Sequence, residues 1–309
     1  MSLSVYARIA TLFFVLTGLL MLLGYAVGLV FGDPLGFTLV GLVFAALINF
    51  ATYFWSDKIV VKMARAKIIE ESDNPRLFSI VSKVAQEAGI PMPKVGIVPQ
   101  GPPNAFATGR GPNKAVVVVT GGILASLTPD ELEAVIGHEV GHVVHRDILI
   151  SSVAATIAGV VSYLGQIALF SMMFGGSGQG RSSNGNVVAL LMAAILVPLG
   201  ATFVRLGISR SFEYNADEYG AKLTRKPGAL ISALTKISSQ TRSSRFSRGP
   251  SGPSTSASTA SLWIINPFSG HSLVELFSTH PSTPNRVKRL QHIAEEMGMY
   301  VGYPQQENF

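Results

Sequence analysis

The amino-acid sequence predicts a mainly helical α+β membrane protein, with four transmembrane helices and an extramembrane domain that contains a small β-sheet. Two observations lead to this fold class. Of the 309 residues, 48% are hydrophobic and only 14% are charged, a balance too apolar for an ordinary soluble protein. The apolar residues are also concentrated in four long runs, whereas the segments between these runs show the periodicities of amphipathic helices and short strands.

The four runs have the length that a membrane-spanning helix requires, since about 20 apolar residues cross a hydrocarbon core about 30 Å thick. The predicted spans are residues 9–31, 36–55, 148–174 and 187–204. A cleaved signal peptide is the alternative for the first run, but its apolar stretch is longer than usual and a second span follows at once. The predicted domains are a transmembrane pair at 1–56, a transmembrane hairpin at 148–205, and extramembrane parts at 57–147 and 206–309.

Basic residues predict the orientation of these spans. The turns after the first and third spans carry Arg181 as their one basic residue. The opposite side carries Arg8, Lys58, Lys62, Arg65, Lys67, Arg146, Arg205 and Arg210. By the positive-inside rule this side is cytoplasmic, so we expect a multi-pass protein of the cell (inner) membrane whose extramembrane parts face the cytoplasm. Topology accounts for most of the net charge of +6, and no nucleic-acid partner is predicted.

The extramembrane parts show short elements of both kinds. Residues 74–88 have the pattern of an amphipathic helix, and residues 94–98 and 115–120 read as strands, the second fully apolar and therefore central in its sheet. Residues 104–109 lie between them as another candidate strand. Residues 238–261 are rich in Ser, Gly, Pro and Arg, which predicts a disordered surface loop. We interpret it as a linker; a regulatory or anionic-lipid role for its arginines is the alternative.

Residues 138–142 read HEVGH, a spacing that predicts a metal site. Residues four apart lie about one turn apart on the same face of an α-helix, so His138 and His142 can hold one zinc ion. Glu139 lies beside them, where it can hold and deprotonate a water molecule. A helix is expected here because Thr128 begins a capping box ahead of a run of apolar residues at helical spacing.

The third protein ligand must be sought further along the chain. With no cysteine, a zinc ion must use histidine and carboxylate ligands. Glu213, just after the fourth predicted span, is the best candidate, and Asp217 lies one turn beyond it, where it can accept the ring N–H of a ligand histidine. Two spans separate His142 from Glu213, so the chain returns to the same side. The alternative is that both acids are ordinary solvated carboxylates.

Several motifs in this order resemble one known family. HEVGH, then Arg146-Asp147, a hydrophobic hairpin, the segment SRSFEYNADEYGA at 209–221 and Ser278-Thr279-His280-Pro281 are similar to the HtpX-type membrane zinc metalloproteases, relatives of the CAAX prenyl protease and of the mitochondrial inner-membrane quality-control protease. The resemblance covers nearly the whole chain apart from 238–261. It implies a cytoplasmic zincin-like (gluzincin) domain with one Zn²⁺ per chain, held by His138, His142 and Glu213, and Glu139 as the base.

The resemblance also suggests groups around this centre. His280, in a turn before a basic helix, is the first candidate donor to the oxyanion of peptide hydrolysis, and Arg286 is the second; surface or capping roles are the alternative for both. Asp147 is expected to orient the HExxH helix, although the sequence names no partner for it. Zinc endopeptidases commonly bind substrate as an added strand, and a sheet edge is predicted for this at Asn104, Ala105, Phe106, Ala107 and Thr108, with a plain structural strand or loop as the alternative.

The predicted activity is endopeptidase cleavage of membrane proteins at the cytoplasmic face, in quality control of misfolded or damaged membrane proteins. The expected partners are membrane-protein or peptide substrates and the lipid bilayer. One alternative is a dedicated prenyl-protein or pheromone-processing peptidase. An alternative of another class is a non-catalytic membrane scaffold with a structural metal site, although a structural zinc ion is normally closed by four protein ligands and gives a glutamate inside HExxH no role.

Overall fold

The computed structural model describes residues 3–174, 210–247 and 283–299. These residues form two compact units. The first comprises the described residues up to Met63 and those from Leu149 to Phe174, and the second comprises the rest. The fourth predicted span, most of the predicted loop at 238–261 and His280 lie outside the described residues.

The first unit contains a tight helical hairpin. Helix α1 covers Leu3–Phe31 and α2 covers Pro34–Met63, and the amide of Gly36 donates to Asp33 Oδ1 at 2.9 Å where α2 begins. The helices approach so closely that a Cβ added to Gly41 would collide with the carbonyl oxygen of Leu20. Asn49 Nδ2 donates across the hairpin to Thr17 Oγ1 at 3.1 Å. Close packing at glycine and an interhelical hydrogen bond from an amide side chain are the kinds of contact that hold helices together in a lipid bilayer.

The structure supports two of the four predicted spans. Among the described residues, Tyr6–Leu29 and Pro34–Met63 are long and apolar enough to cross a membrane. The third predicted span is also a helix, α6, over Asp147–Phe174, and its described part begins with an apolar stretch at Asp147–Ala158. With the fourth span outside the described residues, a total of four stays a prediction.

The second unit is built on a mixed sheet of four strands in the order β1-β2-β4-β3. The strands are β1 at Lys67–Ile69, β2 at Lys94–Val98, β3 at Ala105–Gly109 and β4 at Ala115–Thr120. The parallel pair is β2 with β4, and β3 is antiparallel to β4. The apolar strand β4 is therefore central, as predicted, and β3 forms an edge of the described sheet.

The helices of the second unit share a hydrophobic core with this sheet. They are α3 at Pro75–Glu87, α4 at Gly121–Ser126, α5 at Pro129–His145, α7 at Arg210–Thr224, α8 at Pro227–Ser247 and α9 at Thr283–Glu296. Val117 and Val119 of β4 meet Val135 and Val140 of α5 in that core. The reciprocal capping box of Thr128 and Glu131 fixes the start of α5, and α5 in turn carries the HEVGH motif.

Helix α8 differs from the prediction for residues 238–261. It continues to Ser247, so the first part of the predicted disordered loop is helical. This stretch is poor in apolar residues, but the N-terminal half of α8 is anchored in the core by Leu230, Leu234 and Ile237. An anchored helix propagates at low cost once it has been nucleated, and composition alone does not record that contribution.

A substitution at Arg225 should stabilise the second unit. Arg225 joins α7 to α8 with φ of 55°, a left-handed conformation that costs a residue with a side chain roughly 1–2 kcal/mol. Arg225→Gly removes that cost but adds flexibility to the unfolded chain, so we expect a net gain of up to about 1 kcal/mol in unfolding free energy. Denaturant unfolding in detergent measures it. Arg225→Ala is the control, because alanine keeps the steric cost; equal gains for both variants would contradict the explanation.

Candidate metal centre

Helix α5 presents both histidines of the HEVGH motif on one buried face. Their ring centroids are 4.8 Å apart and the ring planes are almost perpendicular, at 87°. His138 is 1% exposed, whereas the side chain of His142 is 14% exposed. Glu139 is buried beside them. The site therefore lies inside the second unit, with its accessible side at His142.

Helix α7 brings the third acidic group to this pair. Glu213 Oε2 lies 3.8 Å from His138 Nε2, and Glu213 Oε1 lies 3.5 Å from His142 Nε2. One ligand atom from each of the three residues falls within 4.8 Å of the other two. In a tetrahedral zinc site with bonds of about 2.0–2.1 Å, neighbouring ligand atoms are about 3.4 Å apart. The two imidazoles and the carboxylate therefore fit one zinc-sized cation, with a fourth position left for water or substrate.

Glycines explain why α5 and α7 come close enough for this geometry. A Cβ added to Gly220 of α7 would lie 2.5 Å from His138 N and 2.8 Å from Gly137 C. A Cβ added to Gly141 would lie 3.1 Å from Ala216 Cα. The two backbones are thus almost in contact beside the metal ligands. The sequence patterns did not single out Gly220 as a site residue. The signal that could have done so is its position one turn beyond Ala216, on the face of α7 that carries Glu213 and Asp217.

A carboxylate lies behind each histidine. Asp217 Oδ1 is 2.9 Å from His138 Nδ1, and Asp147 Oδ2 is 3.4 Å from His142 Nδ1. Each carboxylate can accept the Nδ1 proton, which leaves the Nε2 lone pair directed at the candidate cation position. The structure thus places Asp217 as the sequence predicted, and it names His142 as the partner that the sequence could not assign to Asp147.

The structure places Arg286 beside two of the acidic groups. Its Nε and Nη2 atoms donate to Asp217 Oδ2 and Oδ1 at 2.8 and 2.6 Å, and Nη1 lies 3.4 Å from Glu213 Oε2. The side chain is 1% exposed. A guanidinium held by carboxylates behind the histidines has the contacts of a group that holds Asp217 in place, and its predicted role as an oxyanion donor stays a prediction.

Charges in this cluster perturb one another strongly. Burial acts to lower the pKa of His142, but the hydrogen bonds to Asp147 and Glu213 outweigh it and raise the pKa to about 10. Burial raises the pKa of Glu139. Burial also acts to raise the pKa of Asp217, but Arg286 and His138 outweigh it and hold the pKa below its usual range. The acidic groups thus stabilise positive charge at the histidines, as a site for a cation requires.

The edge strand β3 runs alongside the motif glutamate. The amide of Ala107 donates to Glu139 Oε2 at 2.9 Å. On the other side of the strand the carbonyl of Asn104 accepts from Thr120 N at 2.9 Å, and Phe106 lies opposite Val118 of β4. Because backbone groups alternate in direction along an antiparallel strand, Ala105 and Ala107 turn their N–H and C=O groups away from β4. The Ala107 N–H is thereby directed at Glu139, and Thr108 follows it along the strand.

Comparisons with known proteins identify relatives of this chain. The family model for peptidase family M48 matches residues 71–294. The HtpX protease homologue of Thermococcus kodakarensis is 45% identical over 97% of this chain and 100% of its own, and that of Pyrococcus furiosus is 46% identical over 97% and 99%. The crystal structure of Ste24p from S. mikatae aligns with 93% of this chain at 19% identity and a TM-score of 0.48, and this chain spans 65% of its length.

The matched region contains β3, α5 and most of α9, and the alignment with the Thermococcus kodakarensis relative covers 97% of this chain. The chain therefore belongs to peptidase family M48, and with its two apolar N-terminal helices it is a membrane protease of the HtpX type.

Proposed function

We propose that this chain is a zinc-dependent endopeptidase that cleaves membrane proteins at the cytoplasmic face of the membrane, in quality control of misfolded or damaged membrane proteins. The observation that carries the proposal is the convergence of three ligand atoms, from His138, His142 and Glu213, within 4.8 Å of one another beside Glu139 and an edge strand. A structural zinc ion would use four protein ligands, whereas three ligands leave a position for chemistry.

His138, His142 and Glu213 would hold the cation, and Asp217 and Asp147 would fix the histidine rings. When bound, zinc supplies Lewis acidity, which lowers the pKa of a coordinated water towards neutrality and polarises a substrate carbonyl. The protein's own contribution is a buried pocket in which the Nε2 atoms of both histidines are oriented in advance, so little reorganisation is needed during reaction.

Glu139 would carry the protons. Its carboxylate takes a proton from the attacking water and delivers it to the nitrogen of the leaving amine, so that one group serves as base and then as acid. The amide of Ala107 holds one carboxylate oxygen at 2.9 Å, which leaves the other oxygen for the water. His280 remains the proposed donor to the oxyanion, from its place in the His-Pro motif that resembles the family.

Substrate would bind as an extra strand along β3. Within the described sheet, β3 pairs with β4 on one side and turns the backbone groups of Ala105 and Ala107 to the other. An extended peptide that pairs along this side, at groups other than the Ala107 N–H that Glu139 accepts, passes directly beside Glu139 and is recognised through its backbone, with little demand on its sequence. Weak sequence preference suits an enzyme that removes many different damaged proteins.

Two features support membrane-protein substrates. Arg146 alone separates α5 from α6, and α6 begins with an apolar stretch, so the zinc ligands are close in the chain to a predicted span. Basic residues near the ends of the predicted spans favour a cytoplasmic location for the second unit. A multi-pass arrangement with four spans would return Glu213 to the side of the membrane that carries His142.

Removal of the metal tests the proposal. We expect the detergent-purified chain to cleave a destabilised membrane protein, to lose this activity with a chelator and to regain it with zinc. His138→Ala should lose both stoichiometric zinc and cleavage, because two ligands do not retain zinc as three do. His292→Ala is the matched control, since His292 is exposed on α9 and should keep both properties. Cleavage that persists in the chelated enzyme or in His138→Ala would refute the metal-dependent mechanism.

A further inference from the structure

We propose that Arg286 is a positioning residue of the metal centre: it fixes Asp217, and through Asp217 it fixes His138 in the orientation that zinc binding needs. The inference rests on the proposed function and deepens it, because it makes α9 part of the zinc site. Arg286 lies far from the HEVGH motif in sequence, on a helix near the C-terminal end of the described chain.

The geometry around Arg286 is that of a bidentate clamp. Both oxygens of Asp217 accept from the guanidinium, Oδ2 from Nε at 2.8 Å and Oδ1 from Nη2 at 2.6 Å. A planar guanidinium bound in this way removes the rotational freedom of the carboxylate, which a single point contact does not do. Arg286 is also among the largest fully buried side chains of the described protein, so water does not compete for these bonds.

The clamp acts on the histidine through one oxygen. Asp217 Oδ1 receives Arg286 Nη2 and also lies 2.9 Å from His138 Nδ1. Arg286 Nη2 itself lies 3.4 Å from His138 Nδ1. Two donors from Arg286 favour the ionised form of Asp217, so we assign the proton between Asp217 and His138 to the imidazole. This places the Nδ1–H tautomer on the Asp217 side and the Nε2 lone pair on the side of Glu213. Arg286 Nη1 also lies 3.4 Å from Glu213 Oε2, so the same side chain steadies a second proposed ligand.

Docking of α9 does not depend on Arg286 alone. Leu290, Ile293 and Ala294 of α9 are buried, and the first two belong to the core of the second unit. A change at position 286 can therefore alter the metal site while the helix stays packed. Because the packing of α9 and the geometry of the metal site can change independently, an experiment can distinguish a positioning role of Arg286 from a purely structural one.

The test is zinc affinity of the full-length chain in detergent, measured by competition with a chromogenic chelator. Arg286→Lys keeps the charge but loses the bidentate fork, and we expect zinc to bind about 10–100-fold more weakly, the usual effect of losing a partner behind a ligand. Arg286→Met should weaken zinc at least as much. Arg289→Met is the matched control: Arg289 is on the same helix and bonds Glu218, the neighbour of Asp217, at 3.2 Å on the exposed side, so zinc affinity should stay unchanged.

A double variant tests whether the effect passes through Asp217. If Arg286 acts mainly through that carboxylate, Arg286→Met combined with Asp217→Asn should lose clearly less zinc affinity than the sum of the two single losses. Full additivity of the two losses, or unchanged affinity in Arg286→Lys, would overturn the proposal. The rise in Tm on addition of zinc should shrink in parallel in Arg286→Lys, whereas a purely structural role would lower the Tm of the metal-free and zinc-loaded chains equally.

Failure of the proposed function gives a different result. A wild-type chain that binds zinc but cleaves no membrane protein contradicts the endopeptidase proposal, while the affinities of the Arg286 variants still decide the positioning role. A wild-type chain that binds no zinc overturns both proposals.

Discussion

Glu139→Gln is expected to lower kcat/KM for cleavage by about 10²–10⁴-fold while one zinc ion stays bound per chain, since general acid–base catalysis contributes factors of this size. The amide of glutamine cannot take a proton from water or deliver one to the leaving amine. Its carbonyl oxygen can still accept from the Ala107 amide, as Glu139 Oε2 does at 2.9 Å. The proposed ligands His138, His142 and Glu213 are untouched, so loss of activity without loss of metal isolates the proton-transfer role.

A second carboxylate provides the comparison for this result. Glu218 on α7 is near the site in sequence but bonds Lys222 at 2.6 Å on the protein surface, so Glu218→Gln should leave both zinc content and cleavage intact. Zinc is measured by elemental analysis and cleavage by gel or fluorescence assay. If Glu139→Gln cleaves at more than about a tenth of the wild-type rate, Glu139 is not the base, because the loss would fall below the smallest factor expected of one.

Local rules predict the local parts of this protein well. The capping box of Thr128 and Glu131, the spacing of His138 and His142, and the strands at 94–98 and 115–120 are fixed by neighbours within a few residues of chain. The structure matches each of these predictions. The central position of β4 also follows from composition, because a fully apolar strand must be covered on both faces.

Tertiary contacts determine the features of the site that local sequence patterns could not predict. Arg286 was expected near the oxyanion because the His-Pro motif precedes it, but its direction depends on how α9 docks against α7, and no local pattern encodes that. Asp147 is only five residues from its partner His142, but the two lie on different helices, so their contact depends on the left-handed turn at Arg146. Residues 238–247 continue α8 although their Ser-rich composition favours a loop, because the earlier turns of α8 are anchored in the core.

The crossing of α5 and α7 is the tertiary contact on which the metal centre most depends, and Gly220→Ala should disrupt it. The new Cβ would lie 2.5 Å from His138 N and 2.8 Å from Gly137 C, both rigid backbone atoms. The helices must move apart by about 1 Å, and a displacement of that size at an active site can lower activity by about 10²-fold. Overpacking should also lower the unfolding free energy by about 1–3 kcal/mol.

The expected loss of stability in Gly220→Ala is opposite to the gain that helix propensity alone predicts, so the sign of the change distinguishes the two effects. Glycine to alanine inside a helix normally stabilises by about 1 kcal/mol. Gly18 of α1 is the matched control, since a Cβ added there meets nothing within 4 Å. Gly18→Ala should therefore leave stability and zinc affinity unchanged or improved, whereas Gly220→Ala should weaken zinc and cleavage together. Equal behaviour of the two variants, by chelator competition and denaturant unfolding, would show that α7 tolerates displacement and that Glu213 is not held by the backbone contact.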